Sequence, residues 1–532
     1  SAYPDTSQKY FHLHHWLVGW VLAFFTRFED STREQTDYET SFNLGYQFDN
    51  SLVQLNGLYG GDCAPEDKER LINDYSDSGI VSQLEREDID RCRENWEIGG
   101  DYEYRRDDGN RFKILVIANK NDTANTRERW DILENGSEEK NLFLDTGSIL
   151  EERIMRGSYT MNLFGGQDVE VGAERAQTIL DSNLALGLLS GSEAPSQAFG
   201  GLSPVNIPNA NTRVEEVRYE PFAIHNWRIS PRMSLETSLV YETSEISMSG
   251  DVSNSRDFNF FKPKLDYRFD VTPQLQLRVL IEKVVRQLSF TDFVATSDQD
   301  DEDSNTLAGN SNLRPDYWWN YNLLAEYRLP DDQGVVSANF YHHRHKDLLQ
   351  RIDVSPGPND LRSAAGNIGT GDMQVFEVKG SVRLSRLGMP NVLFTASANV
   401  RDSWVKDSFL NETRRFNNYH RGEFNWGFRH DIPQWRLNYG IEMRNRIDGG
   451  TKRWDIEDIE NDHADPYFTG FLEFIAFDDV TFRLDARNLA DVQVCRDRIR
   501  YVGNIADNIL EEVEYMCRDF GRSFSLKVSG TF

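Results

Sequence analysis

Histidine is the residue type in this sequence whose clustering could support metal chemistry. Six histidines fall into two short groups, His12, His14 and His15 in the first and His342, His343 and His345 in the second. On a β-strand, residues two apart share a face, so His12 would lie beside His14 and His343 beside His345. A protein metal site needs three or four converging ligands. We therefore favour polar residues of a strand face over a metal site for both groups.

Motifs for catalysis are missing from the sequence. There is no Gly-x-Ser-x-Gly nucleophile motif, no His-Glu-x-x-His zinc motif and no Gly-rich phosphate loop followed by Lys. The chain carries 87 Asp and Glu against 58 Lys and Arg, a net charge of -29. Binding nucleic acid requires an excess of basic side chains. The sequence therefore predicts neither an enzyme nor a nucleic-acid-binding protein.

An acidic run at residues 298–303 is the second candidate for metal binding. Calcium prefers several carboxylate oxygens, which here would come from Asp298, Asp300, Asp301 and Asp303. The spacing differs from that of an EF-hand loop, and a solvated acidic surface is the alternative. Apart from this surface Ca²⁺, no cofactor is predicted.

The four cysteines form two local pairs in polar stretches of the sequence. Neither pair has Cys-x-x-Cys spacing, and four cysteines allow three pairings. Proximity in the sequence favours the disulfides Cys63–Cys92 and Cys495–Cys517. Disulfides persist in oxidising compartments, so the periplasm or the cell surface is indicated.

The elements that must position these residues are β-strands. At residues 522–532, apolar Phe524, Leu526, Val528 and Phe532 alternate with polar side chains, which is the period of a two-faced strand. Similar alternation recurs along the chain between nine tight turns, near residues 49, 108, 166, 231, 273, 332, 390, 432 and 479. We interpret residues 60–95 as a long polar insert.

Two features of the repeat indicate the class of fold. Short turns alternate with long loops, and one strand face is charged at successive positions, which a packed core does not tolerate. Outer-membrane barrels have short periplasmic turns, long outer loops and a wet lumen. We therefore predict an all-β fold, a large antiparallel transmembrane β-barrel of about 22 strands. About nineteen strands are counted directly, and residues 16–25 would add another. No apolar run in the sequence reaches the roughly 20 residues that a membrane-spanning helix needs.

Four arginines on the predicted lumenal face are candidates for guiding an anionic cargo. They are Arg436, Arg444, Arg483 and Arg487. Fixed charge along a narrow path raises the local concentration of a ligand of opposite charge. The alternative is a set of ion pairs with Glu442 and Asp485.

Aromatic residues at a strand start are candidates for cargo stacking. Tyr317, Trp318 and Trp319 follow an Asn-rich segment. Aromatic girdles occupy both interfaces of membrane barrels, so girdle residues are one interpretation. Stacking on a sugar or an aromatic chelate is the other.

Residues 309–316, Gly-Asn-Ser-Asn-Leu-Arg-Pro-Asp, resemble a segment of the TonB-dependent outer-membrane receptors. That family has Asn-Pro-Asn-Leu-x-Pro-Glu at the entry to a barrel strand, matched here at Asn312, Leu313 and Pro315. Ser311 replaces the first proline of the family segment, and Asp316 replaces the glutamate.

The C-terminal part of the chain is similar to the closing segment of the same family. Asn488, Leu489 and Asp491 match its Asn-Leu-x-Asp, and a Gly-Arg pair and the final Phe532 follow in order. The resemblance covers residues 258–532 through motifs and the first half of the chain through its strand pattern alone.

The resemblance implies a receptor in the outer membrane of a Gram-negative bacterium that imports a scarce nutrient. Siderophores or metal chelates, cobalamin and glycans are the cargo classes it implies. Implied partners are outer-membrane lipid, lipopolysaccharide, the small-molecule cargo and a TonB-type energising complex acting through a plug.

The family's plug precedes its barrel, and we find no plug in residues 1–532. We therefore expect a single barrel domain over these residues. The plug would be cleaved, carried on a separate polypeptide or missing. The alternative functions are a passive porin-like channel and a surface docking or adhesion barrel.

Overall fold

The computed structural model folds the chain almost entirely into β-strands. It describes residues 24–33, 35–76, 79–190, 193–207, 209–294, 296–297, 306–307, 309–357, 361–448, 450–476, 480–519 and 521–530. The predicted features that lie outside the described residues are His12, His14, His15, Asp298, Asp300, Asp301, Asp303, Phe532 and most of residues 16–25.

The strands of the first half are β1 (Phe24–Arg33), β2 (Thr36–Phe48), β3 (Ser51–Cys63), β4 (Glu66–Ser76), β5 (Gly79–Arg105), β6 (Arg111–Ile132), β7 (Glu138–Phe164), β8 (Gln167–Leu188), β9 (Ser203–Val205), β10 (Asn211–Ser230), β11 (Met233–Gly250), β12 (Asn254–Asp270), β13 (Leu275–Val285), β14 (Thr296–Ser297) and β15 (Thr306–Leu307).

The strands of the second half are β16 (Tyr317–Arg328), β17 (Gly334–Lys346), β18 (Leu349–Asp353), β19 (Ser363–Asn367), β20 (Gly371–Leu384), β21 (Met389–Lys406), β22 (Thr413–Arg414), β23 (Gly422–Ile432), β24 (Leu437–Ile447), β25 (Gly450–Trp454), β26 (Asp458–Ala464), β27 (Tyr467–Ala476), β28 (Val480–Arg487), β29 (Gln493–Tyr501), β30 (Leu510–Asp519) and β31 (Ser523–Gly530).

Helical structure in the described residues consists of short 3₁₀ turns. They are Gln197–Phe199, Phe290–Asp292, Pro330–Asp332, Ser385–Leu387, Pro433–Trp435 and Ile505–Asp507. In the part of the chain that the structure describes, no helix is long and apolar enough to cross a membrane.

The main sheet has 23 strands, of which β1, β4, β9 and β22 extend or cap others. The remaining nineteen form the barrel wall, each antiparallel to the next, in the order β2, β3, β5, β6, β7, β8, β10, β11, β12, β13, β16, β17, β20, β21, β23, β24, β27, β28 and β31. Short connections join alternate pairs at or next to eight of the nine predicted places, and the ninth, near residue 479, lies outside the described residues. The predicted all-β barrel fold is therefore confirmed.

Alternation gives the wall one apolar and one polar face. On β16, Tyr321, Leu323 and Tyr327 are 43%, 50% and 43% exposed on the outer face, whereas Asn322 and Glu326 lie on the inner face. Large apolar side chains are exposed in this way on most wall strands. An outward apolar band with a polar interior is the pattern of a membrane barrel.

The first and last wall strands, β2 and β31, run in the same direction because an odd number of antiparallel strands separates them. Both are exposed along their whole length. Above them, β1 contacts β30.

The wall extends beyond the membrane band at the end opposite the short turns, here called the long-loop end. The prediction of a polar insert at residues 60–95 is wrong, because β4 and the first half of β5 form an antiparallel extension there. Its inner face buries Glu85 and Glu87 with Arg70 and Arg127 rather than apolar residues. Charged residues on both faces remove the hydrophobic alternation that marks a strand.

Both predicted disulfides are present at the long-loop end. Cys63 bonds Cys92 across β3 and β5, and Cys495 bonds Cys517 across β29 and β30. All four cysteines lie in strands, although the stretches around them in the sequence are polar. Strands β25, β26, β29 and β30 form a separate four-stranded sheet, here called the outer sheet.

Several long loops fold over the inner face at the long-loop end. Phe293 and Leu313 are 2% and 0% exposed and pack against Val214 and Met248, which belong to the inner faces of β10 and β11. A second apolar cluster joins Leu348, Val405 and Phe416. The inner face is therefore apolar and covered near the long loops, and charged further along the strands.

Candidate functional site

Aromatic and histidine side chains meet on the inner face where β16 and β17 approach the long-loop end. Antiparallel pairing places Trp318 opposite His345 and Asn320 opposite His343. Alternation puts Trp318, Tyr341, His343 and His345 on the face opposite to the exposed Tyr321 and Leu323. With Phe416 and Tyr419 from the loop before β23, they form what we call the aromatic cluster.

Ring contacts join the aromatic cluster into one surface. The Trp318 ring stacks on the His345 ring, with centroids 5.0 Å apart, and lies 5.8 Å from His343. Tyr341 lies 5.1 Å from His343. The His345 ring meets Phe416 edge-on at 5.5 Å, and Phe416 contacts Tyr419 at 6.2 Å. Such contacts restrain ring orientations at a modest energy each.

Asp316 fixes the histidine end of the cluster. Its carboxylate is fully buried, with Oδ1 3.1 Å from Nδ1 of His345. The Asp316 backbone oxygen accepts a 2.8 Å hydrogen bond from the Arg286 N–H, and Oδ2 lies 3.5 Å from the Arg286 guanidinium. Asp316 occupies the position where the family segment has glutamate. The residue therefore ties the segment at 309–316 to the aromatic cluster.

Cations border the aromatic cluster. The guanidinium of Arg286 lies 5.9 Å from the Trp318 ring centroid, and those of Arg401 and Arg415 lie 5.6 and 5.9 Å from Tyr419. Burial, followed by electrostatic interaction with the neighbouring Tyr341 phenol, raises the pKa of Tyr419 to about 12. Tyr419 therefore stays protonated at neutral pH. Flat rings beside guanidinium groups suit a planar ligand that carries negative charge.

The structure separates the three aromatic residues that the sequence grouped together. Trp318 joins the aromatic cluster, whereas Trp319 stacks on Tyr321 of the outer face at 6.4 Å. Tyr317 alternates with Trp318, and the Lys283 Nζ lies 4.3 Å from its ring. The girdle interpretation thus suits the position of Trp319 and the ligand interpretation that of Trp318; both roles stay predictions.

Carboxylates interrupt the predicted column of arginines. Arg483 pairs with Glu473 at 3.2 Å and Asp485 at 2.9 Å, and Arg444 lies 3.9 Å from Glu442. These carboxylate partners agree with the ion-pair alternative at Arg483 and Arg444.

The other two arginines of the column lie at opposite ends of the wall. Arg436 follows the short turn Pro433–Trp435 with a positive φ of 50°, and Arg487 is exposed at the last position of β28. Guidance of an anionic cargo by the four arginines stays a prediction.

The Asn-Leu-x-Asp motif forms a clasp between β28 and β31. The Asn488 side chain donates 3.0 Å hydrogen bonds to the Val492 and Gly521 carbonyls and accepts one from the Val492 N–H. The Leu489 backbone N–H donates to the Phe468 carbonyl. The Asp491 carboxylate lies 3.6 Å from the Arg522 guanidinium. These contacts shape the last long loop.

Five members of the site could not be predicted from the sequence. Phe416, Tyr419, Arg286, Arg401 and Arg415 come from other strands and loops than the segment at 309–319, and none belongs to a motif. In the described residues, no group of three or more His, Cys, Asp and Glu side chains is arranged to hold a metal ion.

The chain belongs to the TonB-dependent receptor-like β-barrel family, whose model matches residues 19–489. The family is one of transport receptors. The protein is therefore a β-barrel of the outer membrane of a Gram-negative bacterium, with its long-loop end facing outward. No curated protein matches the sequence significantly.

Solved structures show the same fold at low sequence identity. The copper transporter OprC is 11% identical with a TM-score of 0.62, covering 96% of this chain and 80% of its own. The ferric yersiniabactin uptake receptor FyuA from Yersinia pestis is 10% identical with a TM-score of 0.60, covering 96% and 79%. The siderophore receptor PiuA from Acinetobacter baumannii is 11% identical with a TM-score of 0.56, covering 96% and 81%.

Proposed function

We propose that this chain is the barrel of a receptor that binds a small-molecule cargo at the aromatic cluster and imports it through the lumen. The observation that carries the proposal is the meeting of Trp318, His343, His345 and Tyr419 at the outer end of the inner face, beside three guanidinium groups. A site of flat rings and fixed cations selects its ligand, whereas a general porin needs only a constriction.

The cargo classes that we consider are siderophores or other metal chelates, cobalamin and glycans. Neighbours of the same fold are named for copper, ferric yersiniabactin and siderophores. The guanidinium groups around the rings favour an anionic chelate over a neutral glycan. Passage would be driven by a TonB-type complex acting on a plug within the lumen.

Uptake by cells tests the proposal. Cells that produce the receptor receive labelled ferric chelates, cobalamin and oligosaccharides in turn, and one class should accumulate only with the receptor. Trp318→Ala should reduce that uptake about tenfold or more, since an aromatic anchor contributes roughly 2 kcal/mol to binding. Trp435→Ala is the matched control, because Trp435 is 66% exposed at a short turn.

Three outcomes would contradict the proposal. Equal uptake by the Trp318→Ala and wild-type receptors would mean that the aromatic cluster does not bind the cargo. Unselective entry of all three classes would favour a passive channel. Stoichiometric capture of a surface protein without any cargo uptake would favour a docking barrel.

A further inference from the structure

A polar cavity of about 570 Å³ lies outside the aromatic cluster, on the other side of the segment at 309–316. Its walls come from the start of β12, from that segment and from the β18–β19 hairpin. Arg256, Arg314, Asn254, Asn310, Asn312 and Asn367 line it, together with one isoleucine and one serine. The volume falls within the range of small-molecule sites.

The segment that forms one wall alternates between the cavity and the protein core. Leu313 is fully buried in the apolar cluster, whereas its neighbours Asn312 and Arg314 are exposed and line the cavity. Asp316, two residues after Arg314, is fully buried and contacts His345 of the aromatic cluster. One short segment therefore borders both the cavity and the proposed cargo site.

Hydrogen bonds hold the cavity walls in place. Asn254 donates to the Ser311 carbonyl at 2.8 Å, and Asn310 donates to the Ala365 carbonyl at 2.9 Å. Asn367 accepts from the Arg314 N–H and donates back to the Arg314 carbonyl, both at 2.9 Å. A site whose walls are bonded to each other loses little freedom when a ligand binds.

The two arginines give the cavity its chemistry. Arg256 stacks over Phe258 at 5.3 Å, and one of its terminal nitrogens donates to the Asn312 and Leu313 carbonyls. Arg314 pairs with Asp347 at 2.9 Å through one nitrogen. A guanidinium has five N–H donors, so each arginine retains donors for a second acceptor. The lining residues include two guanidiniums and no carboxylate, and Asp347, which pairs with Arg314, is not one of them. The cavity therefore has a positive lining on a chain whose net charge is -29.

We propose that this cavity binds the carboxylate groups of a small polar ligand at the mouth of the barrel. Guanidinium and carboxylate match in a bidentate geometry, and the asparagine amides supply hydrogen bonds to further oxygens. The single aliphatic side chain excludes a mainly apolar ligand. The inference rests on the proposed function, because the cargo that reaches the aromatic cluster would first contact this cavity.

Citrate, which carries three carboxylates, is the probe. The purified full chain in detergent is titrated with citrate by calorimetry. Arg256→Gln and Arg314→Gln should each weaken binding about tenfold or more, the loss of one charged hydrogen-bond pair. Maltose, a neutral polar sugar, should neither bind nor compete.

Arg268→Gln is the matched control. Arg268 is 48% exposed and pairs with Asp270 at 3.2 Å, as Arg314 is 53% exposed and pairs with Asp347. Arg268 lies at the short-turn end of β12, away from the cavity at the start of that strand. Because Arg256 also holds backbone carbonyls, Arg256→Lys is measured as well; it keeps the charge and should weaken citrate binding less than Arg256→Gln. Heat-modifiable electrophoretic mobility checks that each variant keeps a folded barrel.

Citrate binding that is unaffected by Arg256→Gln and Arg314→Gln, or equally weakened by Arg268→Gln, would overturn the inference. Absence of saturable binding in the millimolar range would overturn it as well. Cellular uptake separates this inference from the proposed function. Arginine-dependent citrate binding without any cargo import would support ligand binding at the cavity and refute the proposed import function.

Discussion

Arg498 at the centre of the outer sheet is the residue whose loss should have the largest local effect. It is 1% exposed, and its guanidinium donates to the Asp458 carboxylate at 2.7 and 2.5 Å. Asp458 is 1% exposed and Glu460, 3.7 Å from Arg498, is 5% exposed. Arg498→Met leaves two buried carboxylates without this partner. Removing one member of a buried ion pair costs about 3–5 kcal/mol.

Hydrogen exchange measured by mass spectrometry reports this loss of local stability in the outer sheet. Since each 1.4 kcal/mol is a factor of ten, amides of β26 and β29 should exchange roughly 10²- to 10³-fold faster in Arg498→Met. The wall strands should keep their protection, because the outer sheet is a separate sheet. The double variant Arg498→Met, Asp458→Asn should regain part of the loss, since it removes the buried charge that loses its Arg498 partner; Glu460 keeps Arg453 and Arg496.

Arg421→Met is the control for this prediction. Arg421 and Asp448 form a 3.0 Å ion pair at the long-loop end, but their side chains are 61% and 63% exposed. An exposed pair contributes at most about 1 kcal/mol. Equal exchange in the Arg498 and Arg421 variants would refute the reasoning that burial makes the Arg498 network stabilising.

Three further predictions concern other parts of the fold. Replacing Cys495 and Cys517 by serine should cost the outer sheet about 2–4 kcal/mol, measured as faster hydrogen exchange, because a local chain cross-link is lost. Gly334→Ala should reduce the folded fraction in membranes, seen as heat-modifiable mobility, since Gly334 has a φ of 138° and an added Cβ would overlap the Ser381 carbonyl. Burial and neighbouring carboxylates raise the pKa of Glu457 above its usual 4.5, so the stability of the outer sheet should fall as the pH rises through this raised pKa. Glu457→Gln should flatten that pH dependence of hydrogen exchange.

Each of these predictions has its own contradicting result. Unchanged protection of the outer sheet in the cysteine variant would mean that the buried ion pairs alone suffice. A normal folded fraction for Gly334→Ala would contradict the steric argument; Gly157→Ala, where an added Cβ meets nothing, is its control. Equal pH profiles for Glu457→Gln and wild type would contradict the raised pKa.

The wall of the barrel could be predicted from the sequence because each strand carries its own signal. β31 alternates apolar and polar residues along its length, and its apolar Phe524, Leu526 and Val528 are 64%, 68% and 56% exposed. Lipid on one side and water on the other impose this period on every wall strand. The nine short turns have the Gly, Pro, Asn and Asp residues that tight turns require.

The extension at residues 60–95 could not be predicted in this way. Beyond the membrane both faces of a strand meet water or charged partners, so the period disappears. Glu87, fully buried between Arg70 and Arg127, resembles a solvated loop residue when the sequence is read alone. Its partners lie on the neighbouring strands β4 and β6, and no local pattern in the sequence marks the pairing.

The candidate site was predicted only where a motif or a strand spacing marked its residues. Trp318 follows the Asn-Leu-x-Pro segment and was proposed for a ligand, and His343 and His345 were placed on one face by their spacing. Phe416 and Tyr419 reach the same surface from a loop about 70 residues further along the chain, and only tertiary packing brings them together.

The energy dependence of uptake is the most direct test of import through this barrel. Cells producing the receptor are compared with and without a working TonB-type complex, and the same protein is placed in a planar lipid bilayer for conductance. The proposed function predicts that selective cargo uptake disappears without the complex and falls in Trp318→Ala. Uptake that continues without the complex, together with a steady open conductance, would contradict it and identify a passive channel.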